Sequence, residues 1–480
     1  MASPLVLGGT NGRNVCLLAA LANRHGLIAG ATGTGKTVSM QVLAEHFSRI
    51  GVPVFLTDIK GDLSGLACAG KPHKKIEHRL VKMAIPDFSF DANPVRFWDI
   101  TATRGIPVRL SLSDLGPQLL SRLLDLNDTQ EAILSIIFDY ADDQGFLLLD
   151  LNDLKTSLSF IQENSADIQK SYGRISAASI AAIRRRLLLL EQEGLEDFFG
   201  EPSLEFEDLI STDKSHGIIN ILDARSLINT PKTYAIFLLW LMSELFENLP
   251  EVGDPDKPVM VLFFDEAHLL FKDCPKAFVD KIEQVVRLIR SKGVGIYFIS
   301  QSPSDIPDDV LAQLGNRIQH ALRAYTPKEK KAVRVAAQSF RPNPALDTEQ
   351  VIAELGVGEA LVSTLQEGGI PSVVERTTMA PPGSQIGPIS KSARNSLIAA
   401  DPLLARYKTA VDPESAHEIL QKRQKSLAER AEKETVKPKK SRARSSRQSV
   451  GEAFLKSVAR SLGSGFGRKI MRGLLGSLLK

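Results

Sequence analysis

The sequence predicts an α/β fold: a mostly parallel sheet flanked by helices, interrupted by an α-helical insertion and followed by a basic amphipathic tail. Three observations predict it. A strand, a Gly-rich turn, a helix and a second strand follow one another between His25 and Asp58, which makes one βαβ unit and hence a parallel pair. Continuous apolar runs such as Val259-Met-Val-Leu-Phe-Phe read as central strands buried on both faces. Between these two regions, from 102 to 216, apolar residues recur at helical spacing with few strand signals.

The elements follow in order. After a short apolar lead, His25-Gly-Leu-Ile-Ala reads as a strand. A helix is expected from Lys36 to about Ile50, with Val42, Leu43, His46 and Phe47 on one face and Gly51 as its stop. Val52-Pro-Val-Phe-Leu-Thr is the next strand and ends at Asp58. In the insertion, Leu119, Leu120, Leu123 and Leu124, then Ile133, Ile136 and Ile137, have helical spacing, as do the apolar positions from Ile175 to Leu190. The sheet resumes at Ile218-Ile-Asn-Ile-Leu-Asp. A helix from Thr233 to Phe246 leads to the Val259 strand, and a helix from Lys276 to Ser291 leads to Gly295-Ile-Tyr-Phe-Ile-Ser. Arg317 to Arg323 and Glu359 to Ser363 are candidates to extend the sheet.

Composition sets the outer limits. The chain has 480 residues, 43% hydrophobic and 24% charged, enough for a large packed core, so global disorder is excluded. The net charge of +3 hides an asymmetry. Residues 421–480 hold 17 Lys/Arg against 4 Asp/Glu, which leaves 42 against 52 in the first 420 residues: an acidic body with a basic tail. Cys16, Cys68 and Cys274 lie far apart, which supports neither a zinc ribbon nor a disulfide framework. The N-terminus lacks a basic region followed by an apolar one, and the longest apolar run, Ala235 to Met242, is far short of the roughly 20 residues of a membrane span. The body is expected to be soluble and cytoplasmic.

The chemistry concentrates at strand ends. Gly30-Ala31-Thr32-Gly33-Thr34-Gly35-Lys36-Thr37 matches the phosphate-binding pattern G-x-x-x-x-G-K-[ST]. Glycines let such a loop curl so that backbone N–H groups point at phosphate oxygens, and the helix that follows presents its positive end to the same anion. Lys36 then reaches the β and γ phosphates of ATP, and the Thr37 hydroxyl holds Mg2+. Asp265, at the end of a buried strand, is a second metal-orienting group, and Glu266 beside it is placed to act as general base on water. His268 lies between a packing role and a catalytic one, and has no His or Cys partner at ligand spacing. Gln301 ends the next strand on the side where parallel sheets bind ligands, and is a candidate reader of the γ-phosphate. Asp58, in Asp58-Ile-Lys-Gly61-Asp62, is either a nucleotide contact or a turn-forming aspartate.

In combination these residues resemble a known family. The phosphate loop, Asp58-x-x-Gly61-Asp62, Asp265-Glu266-Ala-His268 and Ser300-Gln301-Ser-Pro-Ser-Asp305 are similar to the HerA-like ATPases of the HerA/FtsK superfamily. Phe97-Trp-Asp-Ile, Leu126-Asn-Asp-Thr-Gln, Gln301-Ser-Pro-Ser-Asp-Ile-Pro-Asp-Asp-Val-Leu and Leu314-Gly-Asn-Arg-Ile-Gln-His-Ala-Leu-Arg-Ala resemble its bacterial group with a HerA-like helicase C-terminal domain. The resemblance implies a RecA-like P-loop NTPase of the ASCE type that uses ATP and Mg2+, works as a hexamer and translocates DNA. It also implies an arginine supplied by the neighbouring subunit, with Arg290 the matching position and Arg317 and Arg323 weaker candidates. Archaeal members carry a β-barrel before the phosphate loop, whereas about 29 residues precede it here, so their docking to a nuclease partner is left open. The tetrad at 265–268 also spells the mark of DEAH-box RNA helicases, but no second motor domain with its arginine signature follows.

The domain reading is a P-loop core at 1–101 and 217–380, the helical insertion at 102–216, and a turn-rich connector with a helical segment at 381–420. A charged, Ser-rich linker at 421–450 is expected to be disordered, and 451–480 is a cationic amphipathic segment. In that segment Phe454, Val458, Leu462, Phe466, Ile470, Leu474 and Leu478 recur every four residues among basic side chains, while five glycines weaken it as an isolated helix. A peripheral anchor at the inner face of the membrane, self-association of six tails, and docking on the body all remain open for it. The leading function is an ATP-driven motor on DNA. A motor acting on polypeptide or at the membrane surface, and a nucleotide-gated scaffold, are the alternatives.

Overall fold

The apolar runs that end at Asp58, Asp265 and Gln301 become neighbouring strands of one sheet. The computed structural model describes residues 4–10, 12–83, 88–271 and 276–435. The described residues divide into two units, one of residues 4–108 and 204–408, the other of 109–203 and 409–435.

The first unit opens with an antiparallel pair, β1 (Leu5–Thr10) and β2 (Arg13–Leu17). Then come β3 (Gly26–Ala29), the phosphate loop, α1 (Lys36–Arg49), β4 (Val54–Asp58), α2 (Lys74–Met83), β5 (Val95–Asp99) and the two-residue β6 (Ile106–Pro107). The second unit intervenes with α3 (Leu112–Leu123), α4 (Asp128–Gln144), α5 (Leu151–Glu163), α6 (Ser165–Tyr172) and α7 (Ala177–Gln192). The first resumes with α8 (Phe206–Leu209), a small ribbon of β7 (Thr212–Asp213) and β8 (His216–Gly217), β9 (Ile219–Asp223), α9 (Pro231–Asn248) and β10 (Met260–Phe264). It continues through α10 (Lys276–Ile289), β11 (Val294–Ser300), α11 (Asp308–Leu311), β12 (Asn316–His320), α12 (Pro327–Gln338) and α13 (Thr348–Glu354). It closes with β13 (Glu359–Ser363), β14 (Glu375–Met379), α14 (Lys391–Ala400) and α15 (Leu404–Tyr407), and α16 (Ala416–Thr435) returns to the second unit.

Among the described residues the large sheet has the order β2-β1-β14-β13-β12-β3-β11-β10-β4-β9-β5-β6. From β12 to β6 every neighbouring pair is parallel, and from β12 to β2 every pair is antiparallel. The phosphate-loop strand β3 therefore lies between β12 and β11, and β11 separates it from β10. That order is the RecA-like arrangement, and it puts the carboxyl ends of β3, β11, β10 and β4 on one edge.

The core explains the sequence pattern. Phe263 of β10, Tyr297 of β11 and Phe47 of α1 meet with ring centroids 5.2–6.3 Å apart, over Leu43, Val54, Leu56 and Ile299. Each such aromatic contributes about 1.5–3 kcal/mol by leaving water, so the helix that follows the phosphate loop is firmly seated. Glycine is required at Gly8, where a Cβ would come 2.2 Å from the Thr378 carbonyl oxygen of β14.

The helical unit is capped by its own sequence. Asn127 with Gln130, and Asp150 with Asp153, form reciprocal capping boxes at α4 and α5. Ile133, Ile137, Phe138, Leu154, Leu158, Ile180, Ile183 and Leu187 are buried in it. Its bounds are tighter than the expected 102–216, because β6 and the β7–β8 ribbon at either end belong to the sheet unit. The stretch 381–420 divides between the units after Lys408. The linker expected to be disordered from 421 is helical as far as Thr435, since α16 packs along α5 and Asp153 accepts the His417 N–H at 2.7 Å. The remainder of that linker and the 451–480 segment lie outside the described residues.

Candidate nucleotide site

The loop between β3 and α1 is built on glycine backbone. Gly30, Gly33 and Gly35 have φ of 152°, 78° and 116°, in the region where other residues are strained. A Cβ on Gly30 would come 2.5 Å from the Cβ of His320. Neighbouring strands hold the loop: Gly30 N–H donates to Ser300 O at 3.3 Å and Ala31 N–H to Ala321 O at 2.8 Å. The crest at Thr32 and Gly33 is exposed, while Lys36 is buried. The Lys36 ammonium turns inward and donates to the carbonyls of Gly30 and Ala31. Burial, and then the nearby Lys60, lower its pKa.

Asp265 and Glu266 follow β10. Asp265 is 2% exposed, and its N–H donates to the Thr57 hydroxyl oxygen at 3.0 Å. Tyr234 donates its hydroxyl to the Asp265 carbonyl at 2.9 Å. Burial pushes the Asp265 carboxyl up to about 7, with Lys60 pulling it down and Glu266 adding to the rise. A buried acid in that state suits a divalent cation, which would favour its charged form. Glu266 has φ 47°, a left-handed backbone uncommon for a residue with a side chain. Lys60 Nζ lies 2.7 Å from Glu266 Oε1 and 4.0 Å from Asp265 Oδ2. Gln301 Nε2 donates to Glu266 Oε2 at 3.4 Å, and His268 Nδ1 lies 3.4 Å from the same oxygen. Burial works against the Glu266 charge, but Lys60, Gln301 and His268 outweigh it and hold the carboxyl below its ordinary range.

The expected residues thus separate into three groups. The phosphate loop, Asp265, Glu266 and Gln301 come together at the carboxyl edge of β3, β11 and β10. Asp58 sits at the same edge, but its carboxylate accepts the N–H groups of Gly61, Asp62 and Leu63 at 2.6, 3.1 and 3.2 Å. The turn-forming reading therefore replaces the nucleotide contact: Asp58 folds the loop that carries Lys60. Burial, with Asp62 beside it, raises its pKa to about 6. Arg290 does not join the group, because it follows α10 at the amino end of β11, the opposite edge from the phosphate loop, and is exposed. Arg317 donates to the carbonyls of Leu314, Ser339 and Leu311, and Arg323 to those of Ala353 and Leu355.

Mg2+ and a nucleotide fit these residues. The glycine cradle, the inward-turned Lys36, the half-buried Thr37 and the buried Asp265 form the donor set such a pair needs, with phosphate oxygens and water completing the metal's shell. Among the described residues no cluster of three His, Cys, Asp or Glu side chains forms a metal site of its own.

The family model described as helicase HerA-like C-terminal matches residues 4–480. The chain belongs to this family. It is similar to a probable helicase of Methanocaldococcus jannaschii, 22% identical over 352 residues that cover 71% of this chain and 60% of the relative. It is also similar to the DNA double-strand break repair helicase HerA of Sulfolobus acidocaldarius, 23% identical over 347 residues, 71% of this chain and 62% of the relative. The matched stretch spans about three-fifths of each relative. Among solved structures, the bacterial conjugative coupling protein TrwBdeltaN70 superposes with a TM-score of 0.51 at 14% identity, covering 80% of this chain and 92% of that one. TrwB in complex with ADP and Mg2+ gives 0.50 at 14% identity, covering 77% and 88%. These likenesses confirm the RecA-like P-loop fold.

Sequence reasoning missed two residues beside the phosphate loop and Glu266. Lys60 stands within Asp58-Ile-Lys-Gly-Asp62, and a lysine between two acids at a strand end was the signal for it. His320, 0% exposed, backs the loop: its Nδ1–H donates to Glu359 O at 2.9 Å, so Nε2 accepts from the Ser39 hydroxyl at 2.9 Å. Burial lowers its pKa to about 4, which keeps it neutral. Nothing in its spacing announces that role.

Proposed function

We propose that this chain is an ATPase whose hydrolysis cycle drives movement along DNA as a hexameric ring. The observation that carries the ATPase reading is the Glu266 carboxylate, buried beside Asp265 and held by Lys60 at 2.7 Å and Gln301 at 3.4 Å, on the same sheet edge as the glycine cradle. Gly30 to Thr37 hold the phosphates through backbone N–H groups and Lys36. Thr37 and Asp265 would hold Mg2+, which would supply positive charge to offset that of the phosphates. Glu266 takes the proton of the attacking water as the water oxygen bonds to the γ-phosphorus and the bond to the ADP oxygen breaks. Lys60 keeps Glu266 ionised for that step, and Gln301, which donates to the base at 3.4 Å, would read the γ-phosphate. Arg290, exposed at the amino end of β11, is assigned by the family resemblance to a neighbour's site rather than its own.

The DNA and ring assignments rest on the family and on what its relatives are named for. The deciding measurement is the steady-state ATPase rate with and without double-stranded DNA, with Glu266→Gln as the blank. The reading expects a DNA-stimulated rate that falls about 10²–10⁴-fold in the variant, the range for loss of a general base. Glu266-dependent hydrolysis indifferent to DNA would remove DNA as the activator.

A further inference from the structure

The first 420 residues are acidic overall, yet two basic elements flank one turn beside the nucleotide site. That turn is 353–358, between α13 and β13. Its Gly358 N–H donates to the Thr34 carbonyl of the phosphate loop at 2.9 Å. Two arginines hold it from either side. Arg323 donates to the carbonyls of Ala353 and Leu355. Arg79, on α2, donates to those of Val357 at 2.7 Å and Gly358 at 3.0 Å.

What lies beyond each arginine is cationic and unpaired. On the α2 side, Lys71, Lys74 and Lys75 are exposed and form no ion pair among the described residues. On the other side, Tyr325 is 85% exposed, and Lys328, Lys330 and Lys331 follow on the first turns of α12. The acid of that turn, Glu329, is folded back into the helix cap, where it accepts from the N–H groups of Tyr325 and Thr326 at 2.8 Å. The exposed acids of these elements and of α13 are Glu77, Glu329, Glu349 and Glu354, of which Glu329 is engaged in the helix cap and Glu349 pairs with Arg334, against six lysines. Val81 on α2, at 83% exposure, and Val357 in the turn, at 69%, are exposed apolar side chains of the same elements. Lysines without partners, interleaved with a bare aromatic ring, are what a polynucleotide needs: phosphates for the cations, a base face for the ring.

We propose that α2 and the Tyr325–Lys331 segment, joined by the 353–358 turn, form a binding surface for the DNA backbone, coupled to the nucleotide through Gly358 and Thr34. The inference deepens the motor reading and rests on it. An acidic membrane is the rival polyanion, but α2 and α12 present no continuous apolar face to bury, and the ring of Tyr325 suits a base.

The test uses the full chain, with its basic tail in place throughout. Binding of a fluorescent oligonucleotide, single-stranded and duplex, is followed against salt for three variants: Lys71/Lys74/Lys75→Gln, Lys328/Lys330/Lys331→Gln and Tyr325→Ala. Each lysine set is expected to flatten the logarithmic salt slope by about 2–3, at about 0.7–0.9 for each phosphate no longer neutralised. Lys→Arg at the same positions is expected to restore it. Tyr325→Ala is expected to leave the slope and weaken single-strand binding by about 5- to 150-fold. The DNA-free ATPase rate is expected to stay level in all three, with stimulation by DNA lost in the lysine sets. Slopes that match the unaltered chain would overturn the surface alone and assign affinity to the tail. No DNA binding by the unaltered chain would overturn the surface and the DNA reading together. Loss of binding to phosphatidylserine vesicles with DNA binding intact would overturn it in favour of a membrane.

Discussion

His25 shows how much one side chain settles. Its backbone is left-handed at φ 57°, and its ring is 2% exposed. Nε2–H donates to the Val286 carbonyl of α10 at 2.7 Å, and Nδ1 accepts the Ile296 N–H of β11 at 3.0 Å. The second bond requires the neutral ring, since a protonated Nδ1 has no lone pair to accept with. Burial, with the charges of Arg290 and Arg24, lowers its pKa from 6.5 to about 4. Between those values the unfolded chain binds a proton that the folded chain refuses. Stability from this group is therefore complete above about pH 6.5 and falls by about 1.4 kcal/mol per unit as pH drops toward 4. Asp58, raised to about 6, acts with the opposite sign, since its unfolded form ionises first as pH rises from 3.8. The clean measurement is thus a comparison: His25→Gly, which adopts this backbone without strain, is expected to flatten the fall of the unfolding midpoint from pH 6.5 to 4. An unchanged slope would show that His25 is not the acid-sensitive group.

At the scale of elements, the turn-rich connector begins as a strap. Residues 380–384 are buried against α1. Glu45, on the helix that follows the phosphate loop, accepts the Gly383 and Ser384 N–H groups at 2.8 and 2.9 Å, and Gln41 donates to the Gln385 carbonyl at 2.9 Å. Glu45→Ala leaves two buried N–H groups without an acceptor. It is expected to cost about 2–4 kcal/mol in denaturant unfolding, with Glu45→Gln intermediate because its carbonyl still accepts. A loss below about 0.5 kcal/mol would mean that water replaces the carboxylate. The strap also explains what the sequence could and could not reveal. Central strands such as Met260–Phe264 were legible because burial on both faces forces a continuous apolar run. The phosphate loop and Asp265-Glu266 were legible because their chemistry admits few residue types. The strand Leu5–Thr10, one in from the sheet edge, was not, since its Gly8 serves close approach to β14 and its Gly9 close approach to Met83, and the pair leaves no periodic pattern. Lys60 and His320 were hidden for a different reason: their roles come from strand order, which brings β4 and β12 to the site from distant sequence.

For the whole molecule, one chain supplies the glycine cradle, Asp265, Glu266 and Gln301, while Arg290 lies on the opposite edge of the sheet. If that arginine serves a neighbour, two dead variants should rescue each other. Glu266→Gln and Arg290→Ala are each expected to lose most turnover, about 10³-fold or more for a trans arginine. Mixed subunits form some sites with Glu266 from one and Arg290 from the other, so an equal mixture should recover a measurable fraction of the rate. A mixture as inactive as its components would mean that Arg290 acts within its own chain or only in stability. The strand order has a further effect, on how the protein is made. β3 is flanked by β11 and β12, both more than 260 residues downstream. At about 5–20 residues per second, the growing chain carries an unpaired phosphate-loop strand for roughly 15–50 s before its neighbours emerge from the ribosome. The contiguous helices from 112 to 192 have most of their partners by then. Biogenesis thus runs from the middle outward, and the phosphate-loop strand, translated among the first, is among the last to find its place.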